Sequence, residues 1–272
     1  MNAIIPIDAS IRTAEQQRAG KEYFERETKK LIRRQMSGDL GYFYFILHEH
    51  QLGKLSAETA ARLIYLCTYL GLNTSYLMWN KRRHIRKRDL QKVLKLSAGT
   101  AFKFWKEVSP SYIVDTEDGL QVVNDNILRG DLPAKSSTYM KVYIDCVRKL
   151  YDDTDITKHK HLGYIFQILP FINIEYNIIC KNPYETNLDD IEHLNLGEFC
   201  KLIGHYDKSN CDKLLNIYRS ITFEVKGQQE YFVSFVINKL GKENIKIFVN
   251  PHIIYSGSDY TKVEVLGAFV KQ

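Results

Sequence analysis

Three stretches of this chain recur later in the same order, and that internal repetition constrains the fold more than any single motif does. In the first, Leu66, Leu70, Leu72, Asn73, Tyr76 and Met78 stand above Phe166, Pro170, Ile172, Asn173, Tyr176 and Ile178, an offset of 100. In the second, Ala101, Phe104, Trp105 and Val108 stand above Cys211, Leu214, Leu215 and Tyr218, an offset of 110. In the third, Val123-Asn124-Asp125-Asn126-Ile127-Leu128 stands above Val249-Asn250-Pro251-His252-Ile253-Ile254, an offset of 126. The offset grows while the order holds, so insertions separate equivalent elements. That order is helix, helix, turn, helix, β-hairpin, twice over.

Local patterns give each element a mechanism. Leu90, Val93 and Leu94 form one apolar helix face, Ser97-Ala98-Gly99-Thr100 reads as a tight turn, and Ser97 caps a helix running to Val108. Helical spacing buries Ala101, Phe104, Trp105 and Val108 and leaves Thr100, Lys103 and Lys106 outside. Asp118-Gly119 between two β-rich runs predicts a hairpin. In the second copy Phe199, Leu202 and Ile203 mark the support helix, Asp207 is the cap, and Lys208, Asn210, Lys213 and Asn216 form the outward set. The runs 221–225, 231–236 and 245–249 predict one long wing, whose tip carries Lys239, Gly241, Lys242 and Lys246. The chain therefore reads as α+β, mainly helical: two tandem winged-helix (helix-turn-helix) domains behind a charged N-terminal helix. The segments are 1–40 for the charged arm, 41–151 for the first domain and 152–272 for the second. Gly41 and Gly53 bound an aromatic strand at 42–47, and Ser56 caps the helix that follows.

Lys and Arg number 38 against 32 Asp and Glu, a net charge of +6 that tilts the chain toward polyanions without making it a charge-only coat. Contact with double-stranded DNA must then come from local clusters. The densest is Lys81, Arg82, Arg83, His84, Arg86, Lys87 and Arg88, suited to positioning phosphate contacts, with a solvated linker as the alternative. Thr100, Lys103, Asn210 and Lys213 are side chains that read base edges in a major groove. Within 11–36 the run Lys29, Lys30, Arg33, Arg34 reads as a solvated helix face, or as a basic arm on DNA. His48-Glu49-His50 resembles the paired histidines of rolling-circle nicking enzymes, but Glu49 stands where a half-buried strand needs an apolar residue. His159 and His161 lie among lysines, and no phosphate-binding glycine loop, nucleophile elbow or His-Glu-x-x-His helix occurs. No catalytic site, metal site or cofactor is expected. Tyr42-Phe43-Tyr44-Phe45 could stack single-stranded bases, but alternation sends half of these rings into a core. Five widely spaced cysteines predict neither a disulfide framework nor a zinc site. Without a signal segment or long apolar run, a bacterial cytoplasm and no membrane contact are expected.

The segment Val249-Asn250-Pro251-His252-Ile253-Ile254-Tyr255-Ser256-Gly257, followed by Lys262, Leu266 and Phe269, resembles the end of plasmid replication-initiation proteins of Gram-positive bacteria. Val123 to Gly130 carries a similar ending, and the likeness extends over 55–151 and 158–269. The resemblance implies a winged-helix protein that binds an origin and recruits host replication proteins. This chain carries two related units where the smaller members have one. A transcriptional regulator of a mobile element on the same scaffold is the alternative, and a protein-docking module is a third class. Two reading units could span adjacent half-sites without dimerising, so the sequence leaves the oligomeric state open.

Overall fold

A computed structural model describes residues 14–47, 52–80, 82–132, 138–204, 208–237, 245–257 and 259–271. The His48-Glu49-His50 run, Lys81, the Asp207 cap, and Lys239, Gly241 and Lys242 lie outside the described residues, as do the side chains of Lys208 and Asn210. The chain is mixed α and β, with 47% helix against 22% strand. No described helix is long and apolar enough to cross a membrane.

The N-terminal helix α1 (Ala14–Leu40) stops at Gly41, whose φ of +59° supplies the left-handed exit. Strand β1 (Tyr42–Ile46) alternates as the sequence predicts, with Phe43 and Phe45 fully buried. Helix α2 (Ala57–Cys67) begins at Ser56, whose Oγ accepts the Thr59 N–H. A short hairpin of β2 (Met78–Asn80) and β3 (Arg83–His84) leads into α3 (Leu90–Leu94) and α4 (Ala98–Val108). The hairpin β4 (Ile113–Asp115) and β5 (Leu120–Val122) follows, then the short β6 (Ile127–Leu128). The order then recurs from β7 (Tyr139–Tyr143), through α5 (Ile144–Asp153), α6 (His159–Gln167), α7 (Leu196–Leu202) and α8 (Lys208–Ser220). Four strands come next, β8 (Thr222–Val225), β9 (Gln228–Tyr231), β10 (Val233–Ile237) and β11 (Ile245–Val249). The described chain closes with β12 (Ile254–Tyr255) and α9 (Tyr260–Gly267).

One four-stranded sheet joins the two copies, in the order β12-β7-β1-β6. β6 lies on β1 as β12 lies on β7, and the central β1–β7 pair is antiparallel, so the order reads the same from either edge. Phe45 faces Ile127 as Val142 faces Ile254, and Phe43 pairs with Val142 while Phe45 pairs with Met140. An antiparallel pair has a local twofold axis, and here that axis exchanges the two copies. Helices α2 and α6 pack on each other more extensively than any other pair of helices among the described residues. Their approach is close enough that a Cβ on Gly163 would stand 1.7 Å from the Ala57 carbonyl oxygen. A single apolar core runs through both copies.

The repeat is tighter in space than the sequence alignment placed it. The bridge Leu70↔Leu77 corresponds to Ile172↔Ile179, and the bond from Met78 N–H to Tyr69 O corresponds to that from Cys180 N–H to Phe171 O. This moves the first block by two residues, so that Gly71, and not Asn73, stands above Asn173. In the third block Asn124 and Asn250 each accept the N–H two residues on, from Asn126 and His252. The long second wing is corrected too. Lys226 and Gly227, both with positive φ, close β8 on β9 as a separate hairpin that packs on α5, and only β10–β11 matches β4–β5.

One buried histidine is tied to backbone through a single ring nitrogen. His159 and His161 are both buried; the His159 Nε2–H reaches Thr154 O at 3.0 Å and Tyr151 O at 3.1 Å, and burial lowers its pKa. This pair packs helices. Burial also pushes the Cys146 thiol up to about 12 and the Cys180 thiol up to about 11, as for inert core groups. Cys200 on α7 and Cys211 on α8 stand side by side, with Cα atoms 5.9 Å apart.

Two outcomes follow from this packing. Gly163→Ala sets a methyl against a backbone oxygen that cannot move aside, and urea unfolding should show a loss of about 1–3 kcal/mol. The depressed His159 pKa means that the unfolded chain takes up the proton first as pH drops below the unfolded value. Stability is then complete above about pH 6.5 and declines below it; His159→Gln should flatten the fall in Tm between about pH 7 and 5.

Candidate nucleic-acid interface

The described part of the basic cluster sits on hydrogen-bonded backbone, with its arginines and Lys87 exposed to solvent. Asn80 Oδ1 accepts the N–H groups of Arg82 and Arg83 at 3.0 and 3.1 Å, which shapes the β2–β3 turn. Asp89 Oδ2 then accepts the Arg86 N–H at 3.0 Å, and its Oδ1 lies 3.5 Å from the Arg83 guanidinium. These bonds leave Arg82, Arg86, Lys87 and Arg88 exposed and without an ion pair among the described residues.

Helix α4 stands beside that segment. Lys95, in the left-handed conformation, ends α3, and Ser97 Oγ accepts the Thr100 N–H, so the turn is 95–97 and Gly99 lies inside the helix. The sequence offered no glycine at the left-handed position and placed the turn too late. Ala101, Phe104 and Val108 are buried as predicted, while Lys103 and Lys106 are exposed and Thr100 is half-buried. Trp105 departs from the expected buried set. It is half-buried, with Lys87 Nζ 4.7 Å above its ring.

Between these parts lies a cleft of about 640 Å³, lined by Arg86, Lys87, Arg88, Phe102, Trp105 and Thr116 among others. Phe102 was missed by sequence reasoning. It is 57% exposed at the centre of the outward face, with Lys106 Nζ 4.8 Å over its ring. Its place one turn from Gly99 and Lys106 on the helical wheel was the available signal. The β4–β5 turn is held by Thr116 and Gly119 and rests on His84, whose Nδ1 lies 3.0 Å from Asp118 O. That turn carries exposed Asp115, Glu117 and Asp118, which repel phosphate.

The second copy holds a different charge. Lys213 and Asn216 are exposed on α8, and Cys211, Leu214, Leu215 and Tyr218 are buried, as predicted. Its counterpart to the basic hairpin is the loop between the paired residues Cys180 and His193, which carries Glu185, Asp189, Asp190 and Glu192. Cations therefore converge in the first copy, while the equivalent segment of the second is acidic. Among the described residues no group of three or more His, Cys, Asp or Glu could hold a metal ion.

Comparison with protein-family models, curated protein sequences and solved structures finds no match for this chain. The reading of the site rests on its own geometry.

Asp89 organises the basic segment without adding to its charge. Asp89→Ala should cost about 1 kcal/mol in urea unfolding, whereas Arg88→Ala should stay within about 0.5 kcal/mol of the parent chain.

Proposed function

We propose that this chain is a sequence-specific double-stranded-DNA-binding protein, acting in a bacterial cytoplasm as the origin-binding initiator of a plasmid or phage. In this reading each copy is a winged helix: α3, α4 and β4–β5 in the first, α7, α8 and β10–β11 in the second. The observation that carries it is the convergence of Arg86, Lys87 and Arg88, which have no ion pair among the described residues, beside α4 around an open cleft. Backbone-held cations of this kind position a duplex by its phosphates, while Thr100, Phe102, Lys103 and Lys106 lie on the helix that would enter the groove. The first copy supplies the grip, since the acidic loop of the second adds no attraction to phosphate. The initiator role rests on the resemblance carried by Val249 to Gly257, with host replication proteins as implied partners.

Selection from a random duplex pool identifies the target, and plasmid maintenance by this gene alone separates initiation from regulation. Each of Arg86→Ala, Lys87→Ala and Arg88→Ala should lower the log–log slope of affinity against salt by about one. Lys213→Ala should have a smaller effect than Lys103→Ala. A duplex-binding slope unchanged in all three of the first set would sink the assignment.

Phe102 adds an apolar contact suited to a thymine methyl. Replacing the contacted thymine with uracil removes about 0.8 kcal/mol of burial, about fourfold in affinity, and Phe102→Ala should erase that difference in a binding titration.

A further inference from the structure

The cationic cleft beside α4 has a counterpart of opposite charge on the same chain. The repeat sets the loop between Cys180 and His193 where the first copy carries its basic hairpin. Asp189, Asp190 and Glu192 are exposed on that loop and have no ion pair among the described residues. Tyr184 stands on the same loop and is 57% exposed. The loop has a fixed shape. Asn182 ties it together, accepting the Glu192 N–H through Oδ1 and donating to Asp190 O through Nδ2, both at 2.9 Å. Asn173 Nδ2 donates to Glu185 O at 2.7 Å, and the Tyr176 hydroxyl donates to Thr186 O at 3.2 Å. An aromatic ring and three carboxylates are thus carried on a backbone with little freedom left to lose on binding.

The cleft offers the complement. Within its 640 Å³ it joins the exposed Arg86, Lys87 and Arg88 to the rings of Phe102 and Trp105, against one carboxylate, Asp115, among the described residues that line it. A phosphate backbone uses the cations alone. A tyrosine flanked by carboxylates uses cations and rings together, because aromatic rings pack on one another and arginine binds a carboxylate through two parallel bonds. Both segments are held by bonds within their own copies, and no ion pair joins them among the described residues, so their contact is one between molecules.

We propose that the cleft beside α4 takes the 181–193 loop of a second copy of this chain. Tyr184 sets against Phe102 and Trp105, and Asp189, Asp190 and Glu192 pair with Arg86, Lys87 and Arg88. Each molecule gives one loop and takes one, so the contact joins unlike surfaces, head to tail. It goes beyond the duplex reading and does not rest on it. Where the cleft also grips a duplex, DNA and the loop exclude each other, and self-association keeps the chain off its target.

The full chain is tested without DNA, by sedimentation velocity over a concentration series, at low salt and in about 1 M sodium chloride, where the screening length falls to about 3 Å. The parent should associate with rising concentration at low salt and be monomeric at high salt. Arg86→Ala with Arg88→Ala, and Asp189→Asn with Asp190→Asn, should each be monomeric; asparagine keeps the acceptor that Asp190 offers to Asn187. Mixed together, these two variants should form a one-to-one complex, since the first keeps its loop and the second keeps its cleft. Tyr184→Ala should weaken association about tenfold. A parent chain that stays monomeric at low salt, association that survives the loop variant, or a mixture that fails to pair overturns the proposal. Duplex binding is measured separately. The loop variant keeps every cation of the cleft and should bind duplex at least as tightly as the parent, so a chain that associates but binds no duplex defeats the duplex reading alone.

Discussion

The antiparallel pairing of β1 with β7 determines where everything else can go. Each strand brings one copy of the repeat with it, and β6 and β12 extend the pair symmetrically on both sides. Between the copies, Gly163 lets α6 approach the start of α2 to a distance that no side chain would permit. Arg148 reinforces the same junction by donating to Thr68 O and Thr68 Oγ1 at the end of α2. The paired strands, the helix contact and the capping arginine all act across the boundary between the copies, so the boundary is among the best-packed parts of the molecule.

On this common frame the two copies have diverged where solvent is the only neighbour. The buried positions of α4 and α8 keep the same apolar spacing, because a core tolerates little change in shape. Their outward positions differ, Phe102 against Asp212 and Lys106 against Asn216. The hairpin ahead of α3 is basic and its counterpart ahead of α7 is acidic. The scaffold is shared and the surface is not, so one fold holds two unlike faces.

Much of this was legible from residues that act locally. Ser56 and Ser97 declare helix starts, Asp118-Gly119 declares a turn, and the alternation of Tyr42 to Ile46 separates core rings from outer ones. What escaped depends on partners far away in the chain or on very short elements. No local pattern says that β1 pairs with a strand nearly a hundred residues later. The β2–β3 hairpin has strands of three and two residues, too brief for periodicity, so its arginines could pass for a linker. Lys226-Gly227 forms a hairpin turn with a lysine in a conformation usually taken by asparagine or aspartate, and the extra strand pair hid inside an apparent long wing. At the candidate site, Trp105 was assigned to the interior by helical spacing, and only the fold revealed that a lysine from the preceding turn meets its ring.

Among the described residues, a continuous sheet and a shared interior join the copy that carries α4 to the copy that carries α8. Proteins whose reading heads hang on a flexible tether adjust to the spacing of their target; under the proposed duplex reading, α4 and α8 would instead be held like the jaws of a fixed gauge. Any duplex that engages both must be brought to the protein's spacing by its own bending and twisting, and the cost of that deformation varies with base sequence. Selectivity would then extend to base pairs lying between the jaws, where no side chain reaches.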